Sequence, residues 1–538
     1  MNRFFHCIAV FALSLPSISM ASDLLSPAVA DRLGLVEAWH RQLGTVGGAR
    51  SIVDVRVWVQ ENTSHEYVNV VATNPPTTDS AASPATSSST MVQFPSGQIL
   101  RRIATDTKNE YGQEIGLKEA DRLARMDVLK LKRRGIAAEV TTTQTREVRI
   151  YMLGDDGGLS AYDAETGETI WNLRIGQPSL GYGLLGISDE YVTVINGMTM
   201  YRIIADDRQM PTSVAGGGRP LPEVRLDHVP VLGATNTPNF VAVPNTRGGV
   251  ECYSYEPTPM EPSVEVFAGQ AVAKPVRFPL STKIGWTTSK GFFYVMDTDG
   301  KPTTQFRLKM DGVSDGGAAA TSNDRFFFGC SGGRVYGVRA TRTGEVMWNK
   351  SLGEPFYSAP FVVKQSVLIA STYGNLFNLD AADGMPLWAT PTANVDSLFS
   401  FTGQYFFGKS TAGYLVAIDP ASGAKISMGT KLMIDHIVKN EKTDRLYVIS
   451  EGGTVQCLRP AEHELPRFWQ DSEEPQPTAK TIVDKAEKPA APADEDANPF
   501  GAPAAGADPF GAGGDPFGAS DEAAAGDDPF GSADPFGN

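Results

Sequence analysis

The stretch Gly157 to Trp171, GGLSAYDAETGETIW, limits what this chain can fold into, because weakened copies of it recur downstream at intervals of about forty residues. It reads as strand, turn, strand. Gly157 and Gly158 suit the left-handed backbone of a tight hairpin, Leu159 to Asp163 alternates, and Thr169 to Leu173 is β-prone around Trp171. The hairpin glycine can be followed as Gly157, Gly197, Gly248, Gly333, Gly374, Gly413 and Gly453, with a degenerate unit over 291–308 filling the one double interval. Apolar strands such as VRIYML, FFYVM and RLYVIS precede most of these glycines. Three or four strands per period, with no helix between them, predict an all-β, eight-bladed β-propeller, seven blades being the other count; a solenoid would show a shorter repeat.

The later copies are GRVYGVRATRTGEVMW, GNLFNLDAADGMPLW and GYLVAIDPASGAKIS, the last with Ser427 in place of the tryptophan. The recurrent tryptophan is expected to cap its own blade against the next. The final copy, from Gly452 to Trp469, loses its turn after Arg459-Pro460 and so needs a borrowed strand. Trp39 to Gly44 resembles Trp171 to Gly176 and is predicted to complete that last sheet, closing the propeller and covering an exposed edge.

Three segments depart from the repeat. Arg3, the apolar run Phe4 to Leu15 and Ser19-Met20-Ala21 form a secretory signal-peptide pattern over 1–21, cut before Ser22, which places the protein in the periplasm or envelope of a bacterium. Cys7 precedes the cleavage signal and does not make a lipoprotein site. The propeller is expected over 22–470, with strands at Ile52 to Gln60 and Glu66 to Ala72 and an insertion over 74–145 inside the first blade. The insertion holds a Pro/Ser/Thr-rich stretch and then a helix over 116–134, with Leu117, Leu123, Met126 and Leu131 on its packed side and seven basic against three acidic residues.

Beyond Gln470 the chain is rich in Ala, Pro, Gly and acid. Residues 471–538 hold 15 Asp or Glu against Lys480, Lys485 and Lys488, so −12 of the net −15 belongs to this tail and the body is nearly neutral. A neutral body argues against nucleic acid as a partner. The tail is expected to be disordered, with no β-rich segment. It carries Asn-Pro-Phe-Gly once and Asp-Pro-Phe-Gly four times, presenting Phe500, Phe510, Phe517, Phe530 and Phe536 as a repeated aromatic ligand for a shallow apolar pocket.

Catalytic and metal signals are missing. Cys252, Cys330 and Cys457 are far apart; Cys252 and Cys457 fall four residues after a hairpin glycine, where Ala161 falls in the first copy, and are expected to be small buried residues. The six histidines show no ligand spacing. Asp435-His436 is the only acid–histidine neighbour pair, and neighbours on a strand face opposite ways. Gly216-Gly217-Gly218 lacks the following Lys-Ser/Thr of a phosphate loop and is expected to be a flexible loop between blades.

Residues 161–171 match Ala-x-Asp-x-x-Thr-Gly-x-x-x-Trp at Ala161, Asp163, Thr166, Gly167 and Trp171, and partial matches keep Gly344 and Trp348, Asp380, Gly384 and Trp388, and Asp419 and Gly423. This resembles the tryptophan-docking repeat of the pyrroloquinoline-quinone (PQQ) propeller superfamily. The resemblance implies eight blades, with Gly157, Asp163, Thr166, Gly167, Trp171, Gly333, Gly344, Trp348, Gly374, Asp380, Trp388, Gly413, Asp419 and Gly453 as structural repeat positions. The superfamily holds two kinds of protein: PQQ- and calcium-dependent dehydrogenases of alcohols or sugars, and non-enzymatic scaffolds such as the outer-membrane-protein assembly factor B (BamB). The dehydrogenases stack their cofactor on a disulfide between adjacent cysteines, and no two cysteines are adjacent here. The expectation is therefore a monomeric, non-enzymatic scaffold that binds other envelope proteins and holds no cofactor or metal, with the quinoprotein dehydrogenase as the alternative.

Overall fold

The computed structural model describes residues 24–42, 47–73, 97–107, 113–206, 217–255, 261–427, 432–434, 436–469 and 478–481. The signal-peptide pattern, Gly44, Gly216, Asp435 and the five tail phenylalanines lie outside the described residues. Within them the chain is all-β apart from two α-helices and two short 3-10 turns, and its strands form eight antiparallel sheets.

Helix α1 (Pro27–Arg32) and strand β1 (Leu35–Gln42) come first. The first sheet is built from β2 (Ile52–Ala72), β3 (Ile99–Ala104), β4 (Ala138–Gly154), β5 (Gly158–Asp163) and β6 (Thr169–Arg174), in the order β3-β2-β4-β5-β6, with α2 (Gly116–Arg133) between β3 and β4 in sequence. The second to seventh sheets follow within 186–225, 235–266, 283–309, 319–351, 361–380 and 397–426. The eighth takes 436–437, 446–449 and 454–460. Its outer strand is β1, which runs antiparallel from Leu35 opposite Pro460 to Gln42 opposite Thr454.

Among the described residues only isolated bridges, and no strand ladder, join one sheet to the next; apolar packing does. Tyr151, Leu159, Val192 and Ile203 join the first sheet to the second, and Phe293, Val295, Phe326 and Phe328 join the fourth to the fifth. Trp39, Val148, Tyr162, Tyr447 and Cys457 join the eighth to the first. Each sheet is thus covered on both faces, which explains why its inner strands read as apolar runs such as Phe326-Phe327-Phe328 and not as alternation.

The non-repeat segments differ from the sequence reading in three ways. First, 52–60 and 66–72 are one 21-residue strand, β2, because β4 pairs along both parts and the break between them is a register shift between Val59 and Ser64. Second, α2 seats itself on this extension through Ala120 and Ala124, whose small side chains allow close approach to Val68, Val70, Ile103 and Val140. Of the four larger apolar residues on the helix, Leu123 and Leu131 pack against this cluster, while Leu117 and Met126 are each 42% exposed. Third, the tail is not without β structure. Thr478–Thr481 pairs antiparallel with Thr141 to Gln144 of β4, on the stretch that β5 leaves unpaired, where free backbone groups can accept any extended segment.

Candidate functional site

The repeat positions serve the seams between sheets. Asp163 Oδ1 accepts from the backbone N–H of Glu165 and Thr166 at 2.8 Å each and from Thr166 Oγ1 at 3.1 Å, which folds the turn that ends at Gly167. Asp380 and Asp419 fold the same turn with the N–H of Ala382 at 2.7 Å and of Ser422 at 3.0 Å. The residue after each aspartate then receives an indole from the preceding sheet. Trp39 Nε1 donates to Ala164 O at 3.0 Å, Trp348 to Ala381 O at 3.1 Å and Trp388 to Pro420 O at 2.9 Å.

The turn glycine supplies the room for that ring. A Cβ on Gly167 would come within 2.6 Å of Trp39, and one on Gly384 within 2.6 Å of Trp348. At Gly344 the ring is Phe306, standing where the degenerate fourth unit lacks a tryptophan. Trp171 docks on Ala205 O at 3.1 Å, and Gly217 and Gly218 lie against its ring. These two glycines are therefore packing positions, which corrects the reading of a flexible loop. The hairpin glycines Gly157, Gly333, Gly374, Gly413 and Gly453 all have positive φ and donate their N–H three residues back, so they shape turns and touch no common site.

Buried charge reinforces two of these seams, and this was not legible in the repeat. Arg445, with no exposed surface, meets Glu165 Oε2 at 2.8 Å across the eighth–first seam and its chain neighbour Asp444 Oδ1 at 2.9 Å. Arg149 holds Asp206 at 2.9 Å and Ala205 O at 2.7 Å across the first–second seam. The available signal was the shared Arg-x-Tyr of REVRIYML and KTDRLYVIS. His65 is a third case. Its Nδ1 lies 2.8 Å from Asp106 and its Nε2 3.4 Å from the free oxygen of Asp163. Burial alone would lower its pKa, but Asp106, Asp163 and Glu147 together hold it up to about 10, so the ring is charged at neutral pH and ties the insertion to the first repeat turn.

The cysteines are buried and unpaired in separate sheets, and burial pushes the Cys252 thiol up to about 12. Among the described residues no three His, Cys, Asp or Glu side chains gather as metal ligands.

Two concavities lie among the described residues. The larger, of about 510 Å³, is walled by the inner segments of the first, second, third, fifth and eighth sheets and by the linkers between sheets. Arg56, Lys274, Arg277, Lys439 and Lys442 face it, against Asp315 and Glu441. Trp58 stands at its edge with Nε1 on Asp189 at 2.8 Å, and Lys442 Nζ lies 4.0 Å from the centre of the indole ring. Calcium prefers six to eight oxygen ligands. This wall is mainly cationic, and Glu441 is already paired with Lys439 at 2.7 Å, so it does not offer the oxygen ligands of a calcium centre.

The smaller concavity, of about 420 Å³, is set between the second and third sheets by Tyr182, Ile195, Met198, Val231 and Leu232 together with four glycines. No lining residue carries a charge at neutral pH. Leu180 and Val229 stand on its rim, 56% and 55% exposed. Apart from the hairpin glycine Gly197 in the smaller one, neither concavity uses a repeat position.

Residues 288–427, the span from the fourth to the seventh sheet, match the family model described as outer membrane protein assembly factor BamB. Over that span the chain is similar to the PQQ-like propeller repeat of BamB. The crystal structure of BamB from Moraxella catarrhalis matches with a TM-score of 0.44 and 16% identity over 59% of this chain and 92% of that one. Sqt1 from Saccharomyces cerevisiae matches with 0.43 and 8% over 57% and 92%. The dihydro-heme d1 dehydrogenase NirN, in complex with DHE, matches with 0.38 and 13% over 52% and 63%. No curated protein matches in sequence. No helix among the described residues is long and apolar enough to cross a membrane.

Proposed function

We propose that this chain is a non-enzymatic, protein-binding propeller of the bacterial envelope, similar in fold to BamB. In this reading residues 1–21 direct export, 22–470 form eight blades with β1 as the outer strand of the eighth sheet and carry the insertion over 74–145, and 471–538 is a tail whose five Pro-Phe turns add a multivalent ligand. The body acts as a monomer. The observation that carries the reading is the uncharged concavity between the second and third sheets, with Leu180 and Val229 exposed on its rim. An apolar, uncharged hollow bordered by exposed aliphatic side chains offers catalysis nothing to work with. It suits an aliphatic or aromatic anchor from another protein, the kind of contact that dominates binding energy at interfaces.

The test is crosslinking and mass spectrometry in envelope extracts, comparing the full chain with its Leu180→Asp, Val229→Asp double variant. The expected result is a reproducible partner crosslinked at this rim, lost from the variant by about tenfold or more. An unchanged crosslink pattern in a folded variant removes the rim from the reading. Dye-linked alcohol oxidation by purified protein supplied with PQQ and Ca²⁺ replaces the reading with an enzymatic one.

A further inference from the structure

The larger concavity has chemistry that protein binding at the outer rim leaves unused. Its described lining carries five cations and two carboxylates, and Glu441 is committed to Lys439. Most of the cations have protein partners. Arg56 is held by Asp54 at 3.0 Å. Arg277 is turned onto backbone carbonyls of Asn236, Phe278, Pro279 and Ser281, and Lys274 donates to Leu185 O. Lys442 is different: its ammonium is sealed from solvent and finds no hydrogen-bond acceptor among the described residues. Of its acidic neighbours, Asp189 spends its oxygens on Trp58 Nε1 and on the backbone N–H of Glu61 and Asn62, and Glu61 pairs with Arg146 at 3.0 Å.

An ammonium kept from water normally receives hydrogen bonds from a counter-ion. Lys442 instead rests on the Trp58 face, with the Arg277 guanidinium 5.8 Å from the same ring centre. Two cations drawn from opposite parts of the chain share one indole beside a cavity of about 510 Å³, a volume in the range of small-ligand sites.

We propose that this cavity binds a small organic acid carrying two or more carboxylates, with Lys442 and Arg277 as its charge partners and the Trp58 ring beside it. Two carboxylates are required because one satisfies Lys442 and leaves Arg277, whose hydrogen bonds go to backbone carbonyls, without an anionic partner. The free state shows the cost of burying these cations. Burial, with the charge of Arg56 next, draws Lys274 down to about 7, although Asp54 opposes this. Burial draws Lys442 down to about 8 against the pull of Glu61, Asp189 and Glu441, with Arg277 adding to the fall. A bound polyanion raises both values, so binding at a pH near 8 takes up protons.

The experiment is isothermal titration of the full chain with citrate, with acetate as the singly charged control, at a pH near 8 in two buffers of different ionisation enthalpy. Expected are saturable citrate binding at least about tenfold tighter than acetate, net proton uptake, and a loss of about tenfold or more in Lys442→Met. Methionine keeps the stem volume without the uncompensated ammonium, so the variant is expected to fold, and its melting curve checks this. Citrate heat that fails to saturate at about 10 mM overturns the proposal. So does equal affinity in a folded Lys442→Met. Should that variant unfold, absence of proton uptake by the wild-type chain overturns the proposal without it.

Discussion

The seam between the fifth and sixth sheets and the seam between the seventh and eighth solve one problem with different parts of the chain. At the first, Trp348 leaves its own sheet, buries all but 7% of its surface, and places Nε1 on Ala381 O and its ring on Gly384. At the second the repeat offers Ser427, which is exposed. There α1 and its flanks insert Leu25, Val29, Ala30 and Leu33 among Phe407, Leu415, Ile434 and Leu446. The polar requirement is met as well, since Gln456 pairs with both the N–H and the C=O of Leu25. A seam therefore needs buried apolar volume with its polar handles satisfied, and the repeat motif is one way of supplying it.

The largest effect expected from this comparison is at the repeat-type seam. Trp348→Ala should cost about 3–5 kcal/mol, because it removes a buried indole, its hydrogen bond and the filling over Gly384. Denaturant unfolding at constant slope measures this, and a loss under about 1 kcal/mol would mean the indole does not carry the seam. Next comes the substitute. Leu33, 1% exposed, lies at the centre of the helical filling, and Leu33→Ala should cost about 2–4 kcal/mol. Hydrogen exchange should localise the loosening to the seventh and eighth sheets and spare the fifth and sixth. Loosening spread evenly over all sheets would show that α1 is not a local seal.

How much of this was readable beforehand follows from the same contrast. The repeat-type seam was legible because its requirements fall on fixed positions: an aspartate to cap a turn, a glycine with no Cβ to meet a ring, and a tryptophan one period away. The expectation that the tryptophan meets the next unit rested on those residues alone. The helical filling was not legible, because nothing in Pro27 to Arg32 says which of eight seams it enters. The same limit applies to α2, where the buried contacts belong to Ala120 and Ala124 and the larger Leu117 and Met126 turn outward. Hydrophobicity ranked those residues in the wrong order, since close approach to β2 favours the smaller side chain.

The binding concavities were less legible still. Lys442, Arg277 and Trp58 are hundreds of residues apart and share no motif. They meet because inner segments of different sheets face a common hollow. What could be read was the negative half: repeat residues are occupied with packing, so chemistry had to lie elsewhere.

The smallest expected effect sharpens the opening contrast most. Ser427 stands at the tryptophan position of its repeat copy, so a reading from repeat alignment alone gives it the weight of Trp348. The packing gives it almost none, because it is exposed and its seam is filled by α1. Ser427→Ala should shift stability by less than about 0.5 kcal/mol, against several for the aligned tryptophan. Thermal unfolding of both variants side by side decides the matter. A cost above about 1 kcal/mol at Ser427 would mean that the aligned position still bears on the seam in spite of the helix, and that repeat register outranks local burial in setting what a residue contributes.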